Sequence, residues 1–194
     1  MLKIEDLSFS YGTQSIIKNL SLTIEQNGVY AIMGPSGCGK STLFSLISGL
    51  LKPDSGSITT DAEKLSFSFQ EARLLPWETA EQNVNFVLGS KKNALQKARG
   101  ALLKVGLGED RTKYPGELSG GMQKRVSLAR AFAAGGDLIL LDEPFAGLDT
   151  ETKAGIIENV KEIGKNSIIL LITHDINEAN DCAEKVFDFY ELNK

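Results

Sequence analysis

Polar and apolar positions alternate from the start of the chain. Leu2, Ile4, Leu7, Phe9 and Tyr11 predict a half-buried strand over residues 2–11. YGTQS (Tyr11–Ser15) reads as a turn, and LSLTI (Leu20–Ile24) alternates again, as a hairpin partner would. VYAIM (Val29–Met33) is instead a continuous apolar run, the pattern of a strand covered on both faces. A helix is expected from about Lys40 to a C-cap near Gly49. KPDSG (Lys52–Gly56) is turn chemistry, and LSFSF (Leu65–Phe69) reads as a strand running into Gln70.

From Glu71 to Ala134 the β-branched runs thin out and helical stretches take over. Thr79 with Gln82 offers a capping box. Residues 93–105 predict a helix stopped by Gly106, and Ser119 can cap another that runs to about Ala134. Then β/α alternation returns. LILL (Leu138–Leu141) and SIILLIT (Ser167–Thr173) are buried strands, 150–163 and 176–184 are helices, and VFDFY (Val186–Tyr190) is a candidate last strand. The expected fold is one α/β domain over residues 1–194, with a mostly parallel sheet and N-terminal antiparallel strands. Its core covers about 1–70 and 134–194, and a helical insertion covers about 71–133.

Composition narrows the class. Apolar residues make up 42% and charged residues 24% of 194, an ordinary globular balance. A net charge of −4 argues against a nucleic-acid-coating surface, so no nucleic acid partner is expected. No apolar run approaches the ~18 residues of a membrane span. Glu5 and Asp6 stand where a signal peptide would be apolar, which predicts a soluble, cytosolic protein. Cys38 and Cys182 are expected as free thiols, because a disulfide at Cys38 would obstruct the loop described next.

GPSGCGKST (Gly34–Thr42) fits G-x-x-x-x-G-K-[ST] between a buried strand and a helix. In the loop Gly34, Pro35, Ser36, Gly37, Cys38 and Gly39, the glycines let backbone N–H groups close around phosphate oxygens. Lys40 would pair with β/γ-phosphates, and the Ser41 hydroxyl would ligate Mg²⁺, with Thr42 beside it. LILLDEP (Leu138–Pro144) places two carboxylates after a buried strand. Asp142 suits a Mg²⁺ position, and Glu143 suits a residue that polarises an attacking water. Gln70 and His174, the single histidine, likewise end strands. Ligands of open parallel sheets bind beyond such ends. Tyr11 either stacks on a base or caps a hairpin. A second phosphate-facing turn, Ser119, Gly120 and Gly121, opens onto a helix and has no second phosphate loop to serve.

Together these motifs resemble the ATP-binding subunit of ABC (ATP-binding cassette) transporters, from Tyr11 to His174. GPSGCGKST is similar to the family's Walker A, LILLDEP to its Walker B, LSGGM (Leu118–Met122) to its signature and GLD (Gly147–Asp149) to its D-loop. Gln70 falls at the Q-loop, His174 at the switch histidine and Tyr11 at the adenine-stacking aromatic. The resemblance implies a P-loop ATPase using ATP and Mg²⁺. Catalytic positions would be Lys40, Gln70, Glu143 and His174, and the metal would sit on Ser41, Gln70 and Asp142. It also implies a head-to-tail homodimer in which Ser119, Gly120, Gly121 and Asp149 meet the nucleotide held by the other subunit.

QEARLLPW (Gln70–Trp77) is similar to the nitrate/sulfonate/taurine group of importers. This implies a membrane permease docked near Arg73, Leu74, Leu75, Pro76 and Trp77, and a place at the inner face of the membrane. The alternatives are a soluble non-transport ABC ATPase and an exporter subunit. A DNA-repair ATPase would need a long coiled-coil insertion with sustained heptads before the signature, and a GTPase would carry N-K-x-D; neither is found.

Overall fold

The computed structural model describes residues 1–90 and 92–193. The chain opens with two long strands, β1 (Leu2–Tyr11) and β2 (Gln14–Ile24), then β3 (Gly28–Met33). Helix α1 (Lys40–Ile47) follows, then β4 (Ser55–Thr60) and β5 (Leu65–Ser68). Helices α2 (Ala80–Phe86), α3 (Ala94–Lys104) and α4 (Gly120–Ala134) come next, with a short 3₁₀ turn at Pro115–Glu117. The remainder alternates: β6 (Leu138–Asp142), α5 (Thr150–Gly164), β7 (Ile168–Ile172), α6 (Ile176–Cys182), β8 (Lys185–Asp188) and α7 (Phe189–Leu192).

The strands form two sheets. One is antiparallel, in the order β2-β1-β4, and the other is parallel, in the order β5-β6-β7-β3-β8. Every residue of β6 and β7 is buried, as their unbroken apolar runs require. Alternate side chains serve opposite layers. Ile139, Leu141, Ile169 and Leu171 pack toward the helices that follow β5. Leu138, Leu140, Ile168 and Leu170 pack toward α1, the antiparallel sheet and Phe189. Fully burying a side chain such as Phe44, Phe145 or Phe189 contributes about 2–3 kcal/mol. Among the described residues of 71–133 all regular elements are helical, and α2, α3 and α4 pack on one another.

Several boundaries differ from expectation. β2 begins at Gln14, so the turn shrinks to Gly12-Thr13, with Gly12 at φ +59°. β4 has one half-buried position and no apolar alternation. It is a strand because the edge of β1 offers backbone partners, with Ile4 opposite Ile58. Val186–Tyr190 is not one strand. It stops at Asp188, whose carboxylate caps a helical turn from Phe189 through the Tyr190 N–H at 2.7 Å. α6 ends at Cys182 rather than 184.

Candidate functional site

The parallel order brings the carboxyl ends of β5, β6, β7 and β3 side by side, and the loops leaving them carry the polar residues. The loop from β3 to α1 holds Lys40 almost fully buried. Its Nζ donates to the carbonyls of Gly34 at 2.6 Å and Pro35 at 2.8 Å and lies 3.7 Å from Cys38 Sγ. The ammonium is thus held inside its own loop by neutral acceptors, ready to meet an anion. Gly39 is required there. At φ +114°, a Cβ would stand 2.7 Å from Ile16 Cγ2 and 3.2 Å from Phe189 Cζ.

A cleft of about 300 Å³ opens over this loop, lined by Tyr11, Ile16, Ser36, Gly37, Gly39, Lys40, Ser41, Thr42, Gln70, Asp142, Glu143 and Ile172. Tyr11 is 53% exposed at its mouth, with its ring edge-on to Phe9 at 4.9 Å. Asp142 ends β6. Burial pushes its carboxyl above the usual carboxylate range, against the pull of the Ser41 hydroxyl. A divalent cation at this carboxylate and hydroxyl would favour the charged form. One carboxylate with one hydroxyl also suits Mg²⁺, which fills its other positions with phosphate oxygens and water. Among the described residues no group of three or more His, Cys, Asp or Glu could hold a metal ion.

Glu143 follows with φ +47°, a left-handed conformation that a non-glycine residue adopts at a cost. Its N–H donates to the Ile172 carbonyl at 3.0 Å, which keeps the turn against β7. The turn delivers the carboxylate between two strand ends. Gln70 Nε2 donates to Oε2 at 3.4 Å, and His174 Nδ1 lies 3.3 Å from Oε1. Three residues separated by 73 and 31 positions in sequence thereby meet at one carboxylate.

The second glycine turn is elsewhere. Ser119, Gly120, Gly121 and Asp149 are absent from the cleft lining. Ser119 caps α4 by accepting the Met122 N–H at 3.3 Å. Asp149 caps α5 by accepting the Thr152 N–H at 2.9 Å, a bond that holds its carboxyl below the usual range. The turns they begin are close, for a Cβ on Gly121 would stand 3.2 Å from the Gly147 carbonyl.

The Arg73–Trp77 segment is stiffened by residues that sequence reading did not single out. Arg130 of α4 donates to the carbonyls of Ala72 at 2.7 Å and Arg73 at 2.9 Å. Arg73 sits 4.2 Å over the Phe69 ring. Asn83 is fully buried and binds both the N–H and the carbonyl of Leu75, and the carbonyls of Glu78 and Thr79. Leu74 packs on the core, whereas Trp77 is 70% exposed. Ile16 and Phe189 were likewise unmarked; their contact with the phosphate loop is purely tertiary. Cys38 and Cys182 are free thiols, and no helix among the described residues is long and apolar enough to cross a membrane.

Known proteins resemble the chain in sequence and in fold. The ABC transporter family model matches residues 17–146. The arginine transport ATP-binding protein ArtM of Bacillus subtilis is 37% identical, over 96% of this chain and 86% of its own. The aliphatic sulfonates import ATP-binding protein SsuB of Burkholderia ambifaria is 38% identical over 94% of this chain, which spans only 59% of that relative. Among solved structures, a dimeric ATP-binding cassette in a post-hydrolysis state, bound to ADP and Pi, superposes with a TM-score of 0.90. It is 30% identical and covers 97% of this chain and 94% of its own. With the family model matching more than half of its length and the cleft assembled as described, the chain belongs to the ABC transporter ATP-binding family, whose members are ATPases working on ATP with Mg²⁺.

Proposed function

We propose that this chain is the ATP-hydrolysing subunit of an importer, acting as a homodimer beneath a membrane permease at the inner face of the membrane. The observation that carries the chemistry is Glu143, presented between Gln70 and His174 beside the phosphate loop. Tyr11 stacks on adenine, and the loop from Gly34 to Thr42 holds the phosphates, with Lys40 exchanging its carbonyl partners for phosphate oxygens. Mg²⁺, when bound, would supply positive charge against the phosphates from Ser41, Asp142 and Gln70. Glu143 orients and deprotonates the attacking water, and His174 donates to the γ-phosphate.

Ser119, Gly120, Gly121 and Asp149 lie off the chain's own cleft, which favours their use by a second copy's nucleotide. The γ-phosphate then bridges two subunits, so closure follows binding and opening follows hydrolysis. The helical segment of about 71–133 would form a subdomain that moves with the permease. Arg73, Leu74, Leu75, Pro76 and Trp77 would dock it, supported by the stiffened backbone and the exposed Trp77. The named relatives differ in cargo, arginine against sulfonates, at 37% and 38% identity, so the solute is set by other chains.

The test is light scattering on Glu143→Gln. MgATP should double the mass, and Ser119→Arg in the same chain should prevent it. A monomer that persists at high concentration with nucleotide bound refutes the shared site.

A further inference from the structure

The residue before His174 belongs to a polar knot with two buried members, Thr173 and Glu178. Thr173, 1% exposed, donates its hydroxyl proton to Glu178 Oε2 at 2.6 Å and accepts the Asp175 N–H at 3.1 Å. Glu178, in the first turn of α6, is itself buried, and its Oε1 takes Lys153 Nζ at 2.6 Å. Lys153 stands in the first turn of α5, whose cap is Asp149; the bond to Glu178 raises its pKa and keeps it a cation. One carboxylate thus joins three elements.

The His174 side chain is 61% exposed and meets Glu143 at 3.3 Å. So open a ring is placed by its backbone rather than by packing. Both flanking residues are anchored: Thr173 on Glu178, and Asp175 by its own N–H to Thr173 and by its carboxylate on the Asn177 N–H at 2.8 Å. The geometry points to Glu178 as a positioning residue for hydrolysis. Through Thr173 it sets the His174 ring against Glu143, and through Lys153 it ties that ring to the turn capped by Asp149. A second cassette pressing on Asp149 would displace His174 with the start of α5, because a charged hydrogen bond whose carboxylate is buried yields less readily than a fully exposed pair. This inference rests on the reading of Glu143 and His174 given above.

His174 is the single histidine, so its imidazole gives one set of NMR signals. Thr173→Val keeps the shape and removes the hydroxyl, Thr173→Ser keeps the hydroxyl, and Glu178→Gln keeps the size and removes the charge. Thr173→Val and Glu178→Gln should each displace the imidazole signals. Each should also lower kcat by on the order of tenfold, the scale of one hydrogen bond to a charged group, with KM for MgATP held within about twofold. Thr173→Ser should restore both. Imidazole signals at their original positions in Thr173→Val, or an unchanged kcat, overturn the proposal. His174→Ala run in parallel separates the two levels. If it keeps full kcat, the catalytic reading of His174 is what fails, even where Thr173→Val still displaces the ring.

Discussion

Glu143 offers a prediction in which stability and activity part company. Its φ of +47° is left-handed, and among the described residues its carboxylate makes two long polar contacts, at 3.3 and 3.4 Å. Those contacts hold little free energy, so truncating the side chain leaves the backbone as the deciding factor. Alanine in this conformation keeps a strain of about 1–2 kcal/mol. Glycine removes the strain but loses about 0.5–1 kcal/mol more chain entropy on folding. Glu143→Gly should therefore be more stable than Glu143→Ala by about 0.5–1 kcal/mol, the reverse of the usual order. Urea unfolding at matched m-values gives the difference directly. Phosphate release should fall by about 10²–10⁴-fold in both, since neither can accept a proton. A higher unfolding midpoint for Glu143→Ala than for Glu143→Gly would refute the strain argument. Phosphate release within about tenfold of the unsubstituted chain would refute the general-base role.

Asn83→Ala should cost about 2–3 kcal/mol in urea unfolding, because it orphans the Leu75 N–H and opens a fully buried site. On the docking proposal it should also weaken permease capture while leaving nucleotide binding intact. Gly39→Ala should weaken MgATP binding by about tenfold or more in titration calorimetry, since Ile16 and Phe189 must move from 2.7 and 3.2 Å. Cys182 gives a pH signature. Burial pushes its thiol from 9.0 up to about 12, so below pH 9 folded and unfolded chains bind the same proton. Above that the unfolded chain alone loses it, and stability falls by about 1.4 kcal/mol per pH unit until the folded thiol also ionises. Cys182→Ala should remove about 1 kcal/mol of that fall between pH 9 and 10, and nearly the whole slope above pH 10; an unchanged curve overturns the reading. Thiol labelling of the folded protein should modify Cys38 and spare Cys182.

Local pattern carried most of the fold. The runs over Val29–Met33, Leu138–Leu141 and Ile168–Ile172 call for cover on both faces; the structure buries the last two completely and the first except at Tyr30 and Met33, which are half-buried. The Thr79–Gln82 capping box and the Ser119 cap are short-range hydrogen bonds, and both form as read. β4 was not legible, because an edge strand with one half-buried position is made by its partner's backbone rather than by its own side chains. The turn at Phe189 was hidden for a related reason. Asp188 caps it, but its apolar residues read equally as a strand until Phe189 finds the phosphate loop.

The same division runs through the site. The sequence by itself determined the phosphate loop, the carboxylates after β6 and the polar residues at the strand ends, because each is a local motif with its own chemistry. Tertiary structure alone decided that Gln70 and His174 close on Glu143, that Arg130 and Asn83 stiffen the Arg73–Trp77 segment, and that Glu178 joins Thr173 to Lys153. These contacts depend on strand order, on which helices share a face and on which polar groups lose water together. No one-dimensional pattern encodes those relations, since they exist only once residues remote in the chain have been brought within a hydrogen bond of each other.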